Sequence, residues 1–412
     1  MPNATVGPAG RTLLRGDLVS AGRRLGDALV VVDGERIAWV GPARSWHGDD
    51  LPEPSPERLI LPGLVDVHCH GGAGAGFPEA DAGGLQAACD HHLGHGTTTL
   101  VGSLVSAPAD RLERRIRALL PLVSSGRLTG IHLEGPFLSA ARCGAQDPRS
   151  IVPGDPGLLQ RLVVAGEGAI RSVTLAPETP RFDELLGVLA AAGITPSLGH
   201  TDASAAQTRA AIAAADGRRL GATHLFNGMP PLHSRAPGPV AACLAAAARG
   251  DMVVELVGDG VHLADETVAM VFALVGPGSI ALTTDAMAAA GMPDGRYPLG
   301  PMTVDVVSGV ARLATDPGAV GAIAGGTARL LDVLRRTVRE AGVALPDAVT
   351  AATSTPARLL GLDDEVGDVL PGRRADLLIT GQELLPQAVL RAGRWIVPLP
   401  DDTRRALAKE AH

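Results

Sequence analysis

Lysine, aromatic residues and cysteine are all scarce in this chain of 412 residues. The only lysine is Lys409, so nearly all of the basic charge comes from arginine. Aromatic residues make up 2% of the chain and hydrophobic residues 46%, so a large core must be built mainly from Ala, Val and Leu. The net charge is −8, and no basic stripe alternates with aromatic residues, which gives little support to nucleic-acid binding.

The sequence also lacks paired cysteines and long apolar runs. Four cysteines occur without a CxxC spacing, which predicts reduced thiols: Cys69, Cys89, Cys143 and Cys243. No stretch of about 20 residues is free of charged and turn residues, and the N-terminal segment has no apolar signal core. We therefore expect a cytoplasmic protein that does not enter a membrane.

The middle of the chain alternates between short apolar segments and helical patterns. Strands are predicted at 64–68, 97–104, 129–134, 171–176, 195–199, 221–225, 252–257 and 279–284. Helices between them are predicted at 109–123, 182–193, 203–215 and 264–275. Eight strands, each followed by a crossover, is the pattern of a (β/α)8 TIM-like barrel within the α/β class. A doubly wound open sheet is the alternative, but no GxGxxG motif follows the first strand.

Both ends of the chain are rich in strand patterns. The segment ALVVVDGERIAWVG near the start predicts a hairpin, because a DGE turn separates two apolar runs. The segments GDVLPGRRADLLITG and QAVLRAGRWIV near the end have a similar pattern. We expect a small β-sandwich domain formed by residues 1–61 and 364–412, and a barrel domain formed by residues 62–363.

Side chains that commonly bind metals follow five of the eight predicted strands. They are His68, His70, Glu134, His200, His224 and Asp285. Because the carboxyl ends of barrel strands meet at one mouth, we expect these side chains to converge. Histidine and carboxylate side chains in one pocket are typical ligands of a divalent metal that activates water.

The candidate ligands fall into two sets. One glutamate with two histidines, as in Glu134, His200 and His224, is a common catalytic set that leaves one ligand position open. The two-residue spacing of His68 and His70 puts both imidazoles on one face of a strand, so both could reach one ion. Two polar residues that merely end a strand before a glycine-rich loop would give the same pattern.

Other polar residues near the predicted mouth have less specific patterns. Asp285 could bind metal or act as a general base and then acid, although it could also cap the following helix. Arg235, in the long loop after the sixth strand, suits an anionic group of a substrate, but a solvated arginine is the alternative. His262 is a candidate substrate contact, and His132 is predicted to lie in the barrel interior. Three histidines near a helix end are predicted to be solvated: His91, His92 and His95.

The motifs together resemble the amidohydrolase superfamily, and within it the N-acetylglucosamine-6-phosphate deacetylase family. The resemblance covers nearly the whole chain, in the motifs LPGLVDVHCHG, HGTTT, HLEGPF, LGHTDA, THLFNGMPP, GDGVH, TTDAM, IAGG and GRRADL. It implies a divalent metal of the Zn or Fe type held by Glu134, His200 and His224, with Asp285 as the catalytic acid and base. Some members lack the HxH motif and keep one metal, so its presence here allows one or two ions per subunit.

The resemblance also implies a set of substrate contacts. They are Ala145, Gln146, Asn227, Gly228, Arg235, His262, Ala324, Gly325 and Gly326. Arg235 would bind the 6-phosphate of the sugar, and a homodimer is expected because a partner subunit contributes to the phosphate site in this family. Gln146 departs from members that carry histidine in this loop, and its amide can donate a hydrogen bond but cannot become cationic.

The same residues bear on the choice of a bridging ligand and on two alternative functions. A carboxylated lysine that bridges two metals in some relatives is excluded here, because the fourth strand, SVTLAPE, has no lysine; Glu134 could bridge instead. Another amidohydrolase activity, for example on N-acyl amino acids, would use Arg235 to bind a carboxylate. A metal-free homologue with an assembly role is the non-enzymatic alternative, but such proteins lose ligands that this chain keeps.

Overall fold

The computed structural model describes residues 4–6, 11–48, 51–315 and 319–399. The first strands in chain order are β1 (Ala4–Val6), β2 (Thr12–Ser20), β3 (Arg23–Asp33), β4 (Arg36–Pro42), β5 (Arg58–Pro62), β6 (Leu64–Cys69), β7 (Gly71–Gly72), β8 (Ala75–Gly76), β9 (Thr97–Val105), β10 (Gly130–Glu134) and β11 (Ile170–Leu175). The later strands are β12 (Thr195–Leu198), β13 (Gly221–Ala222), β14 (Val253–Leu256), β15 (Ile280–Leu282), β16 (Gly295–Leu299), β17 (Met302–Val307), β18 (Val310–Leu313), β19 (Leu377–Gly381), β20 (Pro386–Arg391) and β21 (Arg394–Val397). The helices are α1 (Ala82–Gly94), α2 (Ala109–Ser124), α3 (Pro156–Ala165), α4 (Phe182–Ala191), α5 (Ala205–Ala214), α6 (Gly238–Ala248), α7 (Asp265–Val275), α8 (Leu330–Arg339), α9 (Leu345–Ala352) and α10 (Ser354–Leu360).

Eight parallel strands form the predicted barrel. They pair in the order β6, β9, β10, β11, β12, β13, β14 and β15, and each is parallel to its neighbour. The ring closes just beyond β15, where the backbone N–H of Asp285 donates to the carbonyl oxygen of His68 and Ala286 forms a parallel bridge with Cys69. Strands such as β6 and β10 are buried along their whole length, as expected for parallel strands covered by helices.

Local sequence explains why the barrel helices form where they do. On α2, Leu112, Ile116 and Leu119 are spaced by four and three residues and are buried against the barrel. At the start of α5, the hydroxyl of Ser204 accepts from the backbone N–H of Gln207, and the Gln207 side chain accepts from Ser204 in return. The predicted helices 109–123 and 203–215 are therefore confirmed within one or two residues.

Strands from both chain ends form a separate small β domain, as predicted. Its sheet has the order β21, β20, β19, β5, β2, β3 and β4, and β1 pairs with β2. The join between the two chain ends is the antiparallel pair β19 and β5. Leu14, Val30 and Ile60 from the start pack with Leu377 and Leu390 from the end in one hydrophobic cluster. Residues 400–412, which include Lys409, lie outside the described residues, and the predicted domain limits stay a prediction.

One element near the barrel mouth was not predicted. The strands β16, β17 and β18 form a three-stranded antiparallel sheet between Asp285 and the IAGG segment. Its inner face packs on a cluster that includes Met287, Val304 and Ala324. This small sheet therefore holds the two flanking segments of the mouth together.

The structure also bears on the state of the cysteines and on membrane-spanning segments. All four cysteines are free thiols, and Cys69 is buried away from solvent. Among the described residues, no helix is both long enough and apolar enough to span a membrane.

Candidate metal centre

The first candidate ligand set converges at the barrel mouth. Oε1 of Glu134 lies 2.9 Å from Nε2 of His200 and 2.9 Å from Nε2 of His224. The two imidazole nitrogens lie 3.2 Å apart. All three side chains are buried. The end of β10 and the loops after β12 and β13 thus bring together three residues that span about 90 positions of the sequence.

A second set lies beside the first. Nε2 of His68 is 3.0 Å from Nε2 of His70, and Oδ1 of Asp285 lies 3.4 and 3.3 Å from these two nitrogens. Oε2 of Glu134 is 3.2 Å from Nε2 of His70. Glu134 therefore contacts histidines of both sets.

Hydrogen bonds behind two of the histidines fix which ring nitrogen faces the centre. Nδ1 of His200 donates to the carbonyl oxygen of Arg142 at 2.7 Å, which leaves Nε2 without a proton when the ring is neutral. Nδ1 of His68 lies 2.9 Å from Oε2 of Glu255, whose carboxylate can only accept. A carboxylate or carbonyl behind the ring is the usual partner of a metal-binding histidine.

Charge within the centre also favours a cation. Burial alone would lower the pKa of His68, but the carboxylates of Asp285 and Glu255 raise it to about 10. Burial likewise opposes the charged form of His70, and its hydrogen bonds to Asp285 and Glu134 raise that pKa to about 9. Burial would raise the pKa of Glu134, yet the charge and hydrogen bond of His200 hold it well below its usual range. A cation in the centre would supply the positive charge that protons supply here.

The spacing of the donor atoms fits metal ligation. Tetrahedral ligands at about 2.1 Å from a zinc ion lie about 3.4 Å from one another. The atoms of Glu134, His200 and His224 are separated by 2.9 to 3.2 Å, and all lie within 4.8 Å of one another. The group of His68, His70 and Asp285 meets the same limit.

Three of the candidate residues have strained backbones. His200, His224 and Asp285 have φ values of 46°, 28° and 47°, a region that side chains other than glycine adopt uncommonly. Each residue stands just beyond a barrel strand, where the chain turns sharply toward the mouth. Such strain is concentrated at functional sites.

Asp285 is held from several sides. Besides its contacts with the two histidines on β6, its Oδ2 lies 3.6 Å from Nε2 of His262. Nδ1 of His262 in turn lies 2.8 Å from Oδ2 of Asp259. The IAGG loop lies against the backbone of Asp285, because Gly326 N–H donates to its carbonyl oxygen. At Gly325, whose φ is +82°, a Cβ atom would lie 2.9 Å from that same oxygen.

Most of the other predicted substrate residues lie around the same mouth. Nδ2 of Asn227 donates to the carbonyl oxygen of His224, and a Cβ atom at Gly228 would lie 3.0 Å from Nδ1 of His200. Gln146 is buried, and its Oε1 accepts from the backbone N–H of Ser106, so its Nε2 is the free donor. Ala145 is half-buried and packs with the buried Ala324 in the cluster that contains Met287, whereas Arg235 is exposed in the loop between β13 and α6.

The structure corrects one prediction and adds residues that the sequence did not single out. His92 is fully buried, not solvated: its Nε2 donates to the carbonyl oxygen of Gly71 and contacts Sγ of Cys69 at 3.3 Å. In the sequence, Glu255 is only one residue of the predicted strand 252–257, but in the structure its carboxylate contacts Nδ1 of His68. Asp66 was not singled out from the sequence either. Its carboxylate accepts hydrogen bonds from the hydroxyls of Thr283 and Thr284, which follow β15. His132 lies in the barrel interior as predicted.

A parallel barrel with a buried histidine and carboxylate centre at its mouth is the architecture of a metal-dependent hydrolase. The model of the Amidohydrolase family matches residues 59–396 of this chain, so the chain belongs to that family.

Several proteins that are similar to this chain have names that state a particular activity. The chain is 32% identical to the N-acetylglucosamine-6-phosphate deacetylase of Bacillus subtilis (strain 168), over 79% of this chain and 82% of the relative. It is also 32% identical to the N-acetylgalactosamine-6-phosphate deacetylase of Escherichia coli O157:H7, over 82% of this chain and 87% of the relative. A solved structure of a mutant N-acetyl-D-glucosamine-6-phosphate deacetylase from Mycobacterium smegmatis, in complex with N-acetyl-D-glucosamine-6-phosphate, is 40% identical. It superposes with a TM-score of 0.87 and covers 94% of this chain and 99% of its own.

Proposed function

We propose that this protein hydrolyses the N-acetyl group of N-acetylglucosamine 6-phosphate to give glucosamine 6-phosphate and acetate. The observation that carries the proposal is the centre at the barrel mouth, where Glu134 contacts two histidine sets and Asp285 stands beside them. The 40% identity to a deacetylase solved with this substrate supports the choice of sugar.

Glu134, His200 and His224 would hold one divalent cation of the Zn or Fe type. His68, His70 and Asp285 would hold a second when two ions are present, with Glu134 between the two sites. When bound, a divalent cation would polarise the amide carbonyl and lower the pKa of a water molecule to about 7.

Asp285 is the proposed general base and acid. Burial would raise the pKa of its carboxyl, but His68 and His70 hold it well below the usual range, so the side chain is ionised and has the lone pairs that a general base needs. Asp285 would take the proton of the water that attacks the acetyl carbon. It would then deliver that proton to the sugar nitrogen as the C–N bond breaks, so that acetate and the free amine leave.

The loops around the mouth would bind the rest of the substrate. Arg235 is exposed, so its guanidinium group would be accessible to the 6-phosphate. Gln146 would donate its free amide hydrogens to an oxygen of the substrate. The other proposed contacts are Ala145, Asn227, Gly228, His262, Ala324, Gly325 and Gly326.

The proposal also covers the cellular location, the oligomeric state, the metabolic role and the domain limits of the protein. We infer a cytoplasmic homodimer in which a partner subunit completes the phosphate site. The reaction would serve amino-sugar metabolism, including the recycling of cell-wall sugars. Residues 1–61 with 364–412 and residues 62–363 are the proposed domain limits.

Turnover of a substrate panel tests this function. N-acetylglucosamine 6-phosphate should be hydrolysed far faster than N-acetylglucosamine or an N-acetyl amino acid. Arg235→Ala should raise KM for the phosphorylated sugar and leave the unphosphorylated sugar unaffected, because only the phosphate pairs with the guanidinium group. Preference for N-acetylgalactosamine 6-phosphate or for N-acetyl amino acids would overturn the assigned substrate. Purified protein that neither contains nor takes up a metal would overturn the enzymatic proposal itself.

A further inference from the structure

A second cavity lies at the opposite end of the barrel from the candidate metal centre. Its volume is about 740 Å³, which falls within the range of about 300–1,000 Å³ typical of small-molecule sites. Its floor includes Leu220 and Met252, the residues that lead into β13 and β14. Since His224 follows the other end of β13, the cavity and the centre lie on opposite faces of the barrel.

Arginine dominates the charge of this cavity, which we call the arginine cleft. Five arginines line it: Arg209, Arg218, Arg219, Arg249 and Arg358. Only two acidic residues, Asp216 and Asp251, are among the lining residues of the described chain. The whole chain carries a net charge of −8, so the cleft reverses the prevailing charge locally. A concave surface of one charge sign concentrates ligands of the opposite sign.

Two of the five arginines already have partners. Nε of Arg249 pairs with Oδ2 of Asp251 at 2.8 Å, and Nη2 of Arg358 donates to the carbonyl oxygen of Gly278. Within the described part of the chain, three guanidinium groups have neither a carboxylate partner nor a hydrogen-bond acceptor: those of Arg209, Arg218 and Arg219. These groups are therefore available to a ligand.

Small residues line the cleft, and one of them lies directly beneath an arginine. Ala213 on α5 and Ala242 and Ala245 on α6 line the walls without filling the space between the two helices. Arg219 lies against Gly361, which follows α10 with a φ of +70°. A Cβ atom at Gly361 would lie 2.2 Å from Nη1 of Arg219, so the guanidinium group packs directly on the backbone of this glycine.

We propose that the arginine cleft binds a small phosphorylated sugar. Guanidinium groups match the geometry of phosphate oxygens, and the three free arginines supply several such donors. The carboxylate of Asp216 can accept hydrogen bonds from sugar hydroxyls, and Leu220 and Met252 offer apolar surface to the ring. A nucleotide fits less well, because no aromatic side chain is among the described residues that line the cleft and could stack on a base.

Glucose 6-phosphate is a suitable probe, because it has no N-acetyl group and cannot be deacetylated. Its binding would be measured by titration calorimetry, and its position by hydrogen–deuterium exchange. We expect slower exchange in residues 213–222 and 249–253. The double variant Arg218→Gln/Arg219→Gln should bind the probe at this site about tenfold more weakly or worse, since each charge-assisted hydrogen bond contributes substantially.

Matched variants separate this site from other sources of binding. Arg114→Gln/Arg117→Gln on the exposed part of α2 removes the same charge and should leave binding in the cleft unchanged. Arg235→Ala should retain the protection of 213–222, since it alters only the proposed catalytic mouth. Equal affinity in the Arg218→Gln/Arg219→Gln variant, or protection confined to the mouth, would overturn the proposal. Inorganic phosphate that binds as tightly as glucose 6-phosphate would overturn the assignment of a sugar.

Discussion

Glu255→Gln is the sharpest test of how the centre is organised. The substitution keeps the size of a side chain that is 4% exposed, but it places an amide behind His68. In the wild type, Nδ1 of His68 donates to Oε2 of Glu255, and Nε2 faces the centre. If the amide nitrogen faces the ring, His68 must accept at Nδ1, and its proton moves to Nε2, where a lone pair is needed for a metal.

The expected loss follows from what such supporting carboxylates contribute. Removing the partner of a metal-binding histidine typically costs about 10- to 100-fold in metal affinity or activity, or about 1.4–2.7 kcal/mol. The loss should be toward the lower end, because Oε2 of Glu255 also accepts from the backbone N–H of His224. This second donor favours the amide oxygen of the glutamine at that position, so the main change is the loss of a negative charge that favours a cation. The pKa of His68, raised to about 10, depends on Asp285 and Glu255 together.

The assay is metal retention against a series of chelator concentrations, followed by turnover of N-acetylglucosamine 6-phosphate. Glu266→Gln makes the same chemical change on the exposed first turn of α7 and should match the wild type. Wild-type metal retention and turnover in Glu255→Gln would refute the reasoning, since neither the charge of Glu255 nor its role as the acceptor for His68 would then matter to the centre.

Three further perturbations test separate parts of the structure. Asp285→Asn should abolish turnover while the ion held by Glu134 and its histidines remains, as metal analysis would reveal; full activity would contradict its role as base and acid. His200→Ala should release that ion, whereas His233→Ala in an exposed loop should not, and equal metal contents would argue against ligation. Phe137→Ala should lower the free energy of unfolding in urea by about 3–5 kcal/mol, because this ring is fully buried, and a loss below about 1 kcal/mol would contradict the packing.

Much of the barrel could be predicted because its strands are short, apolar and bounded by turns. The predicted strands 64–68 and 195–199 differ from β6 and β12 by a single residue at one end. The prediction 221–225 extended too far, since β13 ends at Ala222 and the next residues turn. His224 has a positive φ there, and apolar periodicity carries no information on such a turn.

The residues that were missed depend on contacts far apart in sequence. Glu255 lies in the apolar run VVELV, and its partner His68 is 187 positions away. The sequence around His92 is typical of a solvated helix end, yet its side chain is buried and contacts Gly71 in β7. The small sheet at the mouth did leave a signal: in β17 the buried residues Val304 and Val306 alternate with the less buried Asp305 and Val307.

The fourth barrel strand has no lysine, and the carboxylate of Glu134 on the third strand is the group that contacts both histidine sets. A carboxylated lysine on the fourth barrel strand is excluded by sequence, and on that strand Thr174 instead contacts His132 and Thr223 through its hydroxyl. The interior next to β10 is therefore filled by neutral hydrogen-bonding groups. Glu134, at the end of β10, offers Oε1 to one histidine set and Oε2 to the other. The Glu134 carboxylate at the end of β10 thus provides negative charge between the two candidate cation sites. Loss of Glu134 should therefore disturb both sites together.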